Sequence, residues 1–127
     1  MKMQESPEDY LEAILVLSRE LGNVRSIDVA NYLGYSKPSI SVAMKRLREN
    51  GFVALDDHGN LILTGSGLSI ALKIYERHLT ISQFLMSIGV SEEVAKKDAC
   101  RMEHVISDES FEKIKAITSS SFLGTGN

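Results

Sequence analysis

From Ser26 to Leu63 the chain reads SIDVANYLGYSKPSISVAMKRLRENGFVALDDHGNLIL. The hydrophobic period changes inside this stretch. Ser26-Ile27-Asp28 opens a short helix through Leu33, with its cap at Ser26 or Ile27. Gly34-Tyr35-Ser36 reads as a turn. Lys37 to Glu49 reads as a second helix: Pro38 suits its first turn, Ile40, Ala43, Met44 and Leu47 form its inner stripe, and Asn50-Gly51 stops it. Phe52–Leu55 and Leu61–Leu63 are two short strands around Asp56-Asp57-His58-Gly59-Asn60, a turn signal, so they form a β-hairpin. Helix, turn, helix, hairpin is the winged helix-turn-helix order. In that arrangement the second helix enters the major groove of DNA and the hairpin reaches the flanking backbone.

The flanks are helical. On the N-terminal side Ser6 is placed to cap, Pro7 suits the first helical position and Asp9 follows as a capping-box acid. Leu11, Ile14, Leu15 and Leu21 then repeat at helical spacing up to Gly22-Asn23. On the C-terminal side Thr64-Gly65-Ser66-Gly67 caps a long helix to about Ser87. Its apolar residues, among them Leu68, Ala71, Leu72, Ile74, Leu79 and Ile81, lie on more than one face, which predicts burial on two sides. Ser91 caps a further helix to about Ile106, and Asp108-Glu109 opens a last one with Phe111, Ile114 and Ile117 inside. The Ser/Gly-rich end, Ser119 to Asn127, reads as a flexible tail. The fold class is mainly α, a winged helix-turn-helix over 1–70 followed by a helical domain over 71–127. A chain of 127 residues has no room for a large multidomain enzyme.

A net charge of −3 excludes a globally basic protein but not a local basic patch. Between Val24 and Asn50 the basic residues are Arg25, Lys37, Lys45, Arg46 and Arg48, against Asp28 and Glu49, a local balance of +3. On the second helix, Ser36, Lys37, Ser39, Ser41 and Val42 come early enough to meet base edges. Lys45, Arg46 and Arg48 come later and suit phosphates, which position a protein without reading sequence. Arg25 and Pro38 complete the expected DNA-facing set. A helical pair with merely solvated cations, or a protein-interaction module on the same fold, is the bland alternative.

A second signal lies at Cys100-Arg101-Met102-Glu103-His104. On a helix running to Ile106, Cys100, Glu103 and His104 share one face within roughly 100° of arc. Val94, Ala95, Met102, Val105 and Ile106 fall nearly opposite, as a core stripe. Thiolate, carboxylate and imidazole are the common protein donors for first-row divalent metals. His78 on the long helix, and Asp9 with Glu12 on one face of the first helix, bring the set to six, enough for an octahedral site. Taken singly each has an ordinary role: a cap for Asp9, a solvated acid for Glu12, a surface or buried histidine for His78, a structural thiol for Cys100. With one cysteine no intramolecular disulfide is possible. No apolar run follows the N-terminus and the longest, Ala13 to Leu17, is too short to span a bilayer, so a cytoplasmic protein with no membrane partner is expected.

These residues resemble the metal-dependent repressors typified by the diphtheria toxin repressor and the manganese transport regulator. The resemblance covers residues 4–120. It is carried by Asp98-Ala99-Cys100-Arg101-Met102-Glu103-His104-Val105-Ile106-Ser107-Asp108-Glu109, by Glu8-Asp9-Tyr10-Leu11-Glu12, by Ser36-Lys37-Pro38-Ser39-Ile40-Ser41 and by Leu63-Thr64-Gly65-Ser66-Gly67. It implies a homodimer that binds double-stranded operator DNA, with Fe(II) or Mn(II) as co-repressor of metal-uptake genes. It implies Asp9, Glu12, His78, Cys100, Glu103 and His104 as metal ligands, and a helical domain that both binds metal and dimerises. No small-molecule substrate and no enzymatic activity are implied.

The ligand set is a hybrid. Asp9 resembles the manganese regulators, where iron-type members carry methionine. Cys100 resembles the iron-type members, where manganese regulators carry glutamate. Sulfur tilts the expectation slightly toward iron. Ser82 and Lys96 stand where the iron-type ancillary site needs a carboxylate and an imidazole, so that site is not carried over. The chain is expected to be a short form without the SH3-like domain of longer members. Two other readings compete: a winged-helix regulator with no metal requirement, and a small metallohydrolase. The second lacks any separate general base for an open metal site.

Overall fold

The computed structural model describes residues 7–125, with side chains described over 7–119. Its elements in chain order are α1 (Pro7–Leu21), α2 (Ser26–Leu33), α3 (Lys37–Glu49), β1 (Val53–Leu55), β2 (Leu61–Leu63), α4 (Gly65–Ser87), α5 (Glu92–Met102) and α6 (Asp108–Thr125). The chain divides into two compact units, with the boundary inside α4 between Lys73 and Ile74. Among the described residues no helix is long and apolar enough to cross a membrane.

The first unit packs α1, α2 and α3 around a core that includes Leu11, Ile14, Val29, Ile40 and Met44, all buried. Each such side chain contributes about 1.5–3 kcal/mol when fully buried. Tyr10 meets Tyr35 edge to face, with ring centroids 6.1 Å apart. The N-cap of α2 is Arg25, one residue before the expected Ser26 or Ile27. The Asp28 carboxylate accepts the Arg25 N–H at 2.9 Å, and this fixes the start of the helix. Ser36 caps α3 as the sequence suggests, its hydroxyl accepting the Ser39 N–H at 3.3 Å. The expected cap of α1, Ser6, lies outside the described residues.

The hairpin is antiparallel, pairing Val53 with Leu63, Ala54 with Ile62 and Leu55 with Leu61. β1 begins at Val53 rather than Phe52, because the Phe52 backbone is spent elsewhere. Its N–H donates to Leu47 O at 2.9 Å and its carbonyl accepts the Thr64 N–H at 3.1 Å. The turn is built on Asp56, whose carboxylate accepts the N–H groups of His58 and Asn60 at 2.8 Å each, and Gly59 takes φ +82° there. Two neighbouring residues fasten this wing to the body: Leu61 N–H donates to Val24 O at 2.7 Å, and the Arg25 guanidinium donates to the His58 carbonyl.

α4 starts from a cap at Thr64, whose Oγ1 accepts the Gly67 N–H at 3.2 Å and donates to Gly51 O at 2.6 Å. In the second unit Ile81, Ala99 and Phe111 form the buried centre, with Leu85, Met102 and Ile106 packed against it. One face of α4 is buried through Ala71, Ile74, Arg77 and Ile81. The other, with Leu72, Leu79 and Met86, is exposed, so only one of the two expected buried sides is covered within this chain.

Two expectations for the C-terminal half are corrected. α5 ends at Met102, not Ile106; beyond it Val105 N–H donates to Met102 O at 3.1 Å, a tighter turn than the helix itself. α6 runs to Thr125, through the segment from Ser119 expected as a tail. Serine and threonine carry only a small helix penalty, so a stretch rich in them continues a helix already formed. Residues 126–127 of that tail lie outside the described residues.

Candidate metal centre

Glu103 is the unusual residue of the second unit. It is 1% exposed, yet it carries a carboxylate. An unpaired charge taken out of water costs several kcal/mol, so the group needs partners. Its two oxygens have them: Oε1 lies 3.1 Å from His78 Nδ1, and Oε2 lies 3.2 Å from His104 Nε2. Cys100 Sγ lies 3.8 Å from the same His78 nitrogen. Thus α4 supplies His78, α5 supplies Cys100, and the turn after α5 supplies Glu103 and His104. The four residue types named from the sequence in this half of the chain converge.

The reason for the convergence differs from the one expected. Glu103 does not share a polar face opposite the core. It continues the Ala95–Ala99 line at i+4 spacing, and both alanines are fully buried. Val94 and Val105, expected on the core stripe, are 47% and 76% exposed. Ending α5 at Met102 also swings Val105 off the helical register on which that stripe was drawn. Two alanines on the buried side leave the room that Glu103 and His78 occupy.

The Cys100 sulfur and then the Glu103 carboxylate push the pKa of His78 up to about 10, against the opposing effect of its burial. His78 therefore carries the positive charge that balances Glu103 near neutral pH. The donors fit a divalent cation for the same reason: the carboxylate has an imidazole nitrogen near each oxygen and a sulfur beside one of those imidazoles, and a cation satisfies the buried carboxylate as a proton does.

Arg77 was not singled out by sequence reasoning. It is 8% exposed, and its Nη1 donates to the carbonyls of Glu103 at 3.2 Å and Ile106 at 3.1 Å. Its Nη2 meets the Asp108 carboxylate, and its guanidinium carbon sits 5.2 Å from the centre of the Phe111 ring. The available signal was a cation at the i+3 position after Ile74, on the buried line of α4.

In the first unit Asp9 and Glu12 are both half-buried and sit at i, i+3 on α1. Ser82, half of the missing ancillary pair, is buried with its hydroxyl on Leu79 O at 3.1 Å, and Lys96 pairs with Glu92 at 2.9 Å. Of the DNA-facing set, Ser36, Lys37, Pro38, Ser39, Ser41, Val42, Lys45 and Arg46 all lie exposed at the start of α3 or along its outer face. Ser36 donates its hydroxyl to Ser39 Oγ at 3.0 Å while capping the helix. Arg25 is exposed, but its guanidinium is tied to the wing turn.

Residues 2–61 match the family described as iron dependent repressor, N-terminal DNA binding domain, and residues 64–120 match its metal binding and dimerisation domain. The transcriptional regulator MntR of Escherichia coli is 36% identical over 115 residues, covering 91% of this chain and 74% of that protein. A solved manganese-dependent transcriptional repressor in complex with manganese superimposes with a TM-score of 0.81 at 29% identity, over 90% of this chain and 53% of its own. The manganese regulator SloR gives 0.78 at 27% identity, over 90% and 54%. The chain thus spans about half the length of these two solved structures. The tilt toward iron drawn from Cys100 finds no support among them, since both are manganese proteins. One sulfur among carboxylates and imidazoles is a weak selector, because those donors serve manganese as well as iron.

Proposed function

The chain belongs to the iron dependent repressor family, and from that premise we propose that it is a metal-responsive repressor. In this reading it is a homodimer in the cytoplasm that binds operator DNA when Fe(II) or Mn(II) is loaded, and it controls metal-uptake genes. His78, Cys100, Glu103 and His104 hold the metal, joined by Asp9 and Glu12 from α1. The observation that carries the reading is the buried Glu103 carboxylate set between two imidazoles.

When bound, the metal supplies the positive charge that lets carboxylates from both units share one site. The chain's own residues do the rest. Asp9 and Glu12 project from the helix that packs against α2 and α3, so whatever holds them also restrains the DNA-reading unit. Early residues of α3 meet base edges, Lys45 and Arg46 meet phosphate, and the wing held by Arg25 and Val24 meets the flanking backbone. The exposed apolar line of α4, with Leu72, Leu79 and Met86, supports pairing with a second copy. The metal need only favour the binding-competent arrangement, and a coupling of about 1–3 kcal/mol is typical.

The test is DNA binding with and without metal. Duplexes are selected from fragmented genomic DNA with the manganese-loaded chain, and their affinity is measured again after chelation. The expected result is a loss of roughly 5- to 150-fold on chelation. Unchanged affinity after chelation replaces this reading with a winged-helix regulator that needs no metal.

A further inference from the structure

The geometry points to Arg77 as a positioning residue for the metal centre, holding the Glu103 backbone while its neighbour His78 meets the Glu103 side chain. The inference rests on the metal-binding reading above.

α5 ends at Met102 and α6 does not begin until Asp108. The carbonyls of Glu103 and Ile106 fall in this gap, beyond the helical ladder. Arg77 Nη1 takes both, at 3.2 and 3.1 Å, and the same guanidinium reaches Asp108 and lies over Phe111. One planar, permanently charged group thereby fixes the end of α5, the turn and the start of α6. Its positive charge also meets the negative end of α5.

Successive side chains on α4 diverge by about 100°. Arg77 reaches the main chain of Glu103, whereas His78 reaches its carboxylate at 3.1 Å. The two adjacent residues therefore grip one ligand from two sides. A lysine at 77 keeps the charge but offers no fork to span two carbonyls and a carboxylate. Without the fork the Glu103–His104 turn loses its anchor while the donors themselves remain.

The experiment compares the full chain, stripped of metal, with Arg77→Lys, Glu103→Gln and the double variant. Mn(II) affinity and metal-free amide exchange at Val105 and Ile106 are read for each. The expected result is that Arg77→Lys weakens Mn(II) binding about 10- to 100-fold and speeds exchange at those two amides. In the Glu103→Gln background it adds no further loss, because Arg77 acts through Glu103. Unchanged affinity in Arg77→Lys, or a loss that adds in full to that of Glu103→Gln, overturns the inference, the latter marking a merely structural role. Should Arg77→Lys fail to fold, Asp108→Asn, which removes one contact of the guanidinium, carries the same test with the same outcomes. A wild-type chain that binds neither Mn(II) nor Fe(II) overturns the metal reading and Arg77's part in it together; for a chain that binds Fe(II) alone, the same comparison is made with Fe(II).

Discussion

Nδ1 of His78 lies 3.1 Å from Oε1 of Glu103, a carboxylate almost wholly out of water. A proton on that imidazole and a metal at that carboxylate therefore compete for the same donors. The competition makes the centre sensitive to pH in a calculable direction.

The pKa of His78 stands at about 10 against an ordinary value of 6.5, raised by the Cys100 sulfur and the Glu103 carboxylate. A folded pKa above the unfolded one means that protonation stabilises the metal-free fold. That contribution is fully present below about pH 6.5 and fades as pH rises toward 10. The metal-free wild type should lose thermal stability across this window, relative to His78→Gln. Metal affinity should move the opposite way, rising about tenfold per pH unit and levelling off near pH 10. Melting curves of the two proteins that run parallel with pH contradict the assignment.

Glu103→Ala should separate folding from sensing. The substitution removes the carboxylate and leaves His78 free to shed its proton, so the helical circular dichroism should persist at some cost in melting temperature while the metal-dependent gain in DNA affinity disappears. Equal operator affinity for mutant and wild type, both with metal, contradicts this.

Gly67→Ala should destabilise the first unit. A Cβ at this position would stand 2.0 Å from the Phe52 carbonyl oxygen, which already accepts the Thr64 N–H. The base of the wing or the start of α4 must then shift, at a cost of about 1–3 kcal/mol. Chemical denaturation checks the value, and a midpoint equal to wild type would show that the two backbones part freely.

Lys45→Ala and Arg46→Ala should weaken binding to all duplexes alike and lower the salt dependence by about one phosphate contact each. Arg25→Ala should act differently. Its guanidinium is spent on the His58 carbonyl, so its loss frees the wing turn. Weaker binding with a salt slope reduced less than in Lys45→Ala would mark that indirect role. Fluorescence anisotropy over a salt series distinguishes the two patterns.

The winged helix was legible because its punctuation is local. Gly34, Gly51 and Gly59 all take positive φ, and each sits where the hydrophobic period changes. Residue chemistry also named the donors His78, Cys100, Glu103 and His104, which the fold brings together. What could not be read was the end of α5. Near it Arg77, more than twenty residues earlier, donates to carbonyls that a continued helix would have used. The face assignment failed with it. Val94 and Val105 are apolar but exposed, whereas charged Glu103 extends the buried Ala95–Ala99 line, with a histidine nitrogen near each carboxylate oxygen. Helical pattern alone likewise gave no reason to carry α6 past Ser119 to Thr125.

The most direct measurement is an anaerobic titration of the chelator-stripped chain with Mn(II) and with Fe(II), reading affinity and stoichiometry for each. A metal sensor should bind at least one of them tightly, and that binding should fall at least about tenfold in Glu103→Ala. The ratio of the two affinities would identify the metal. Binding of neither, or binding indifferent to Glu103, would contradict the metal centre and leave a winged-helix protein without its sensor.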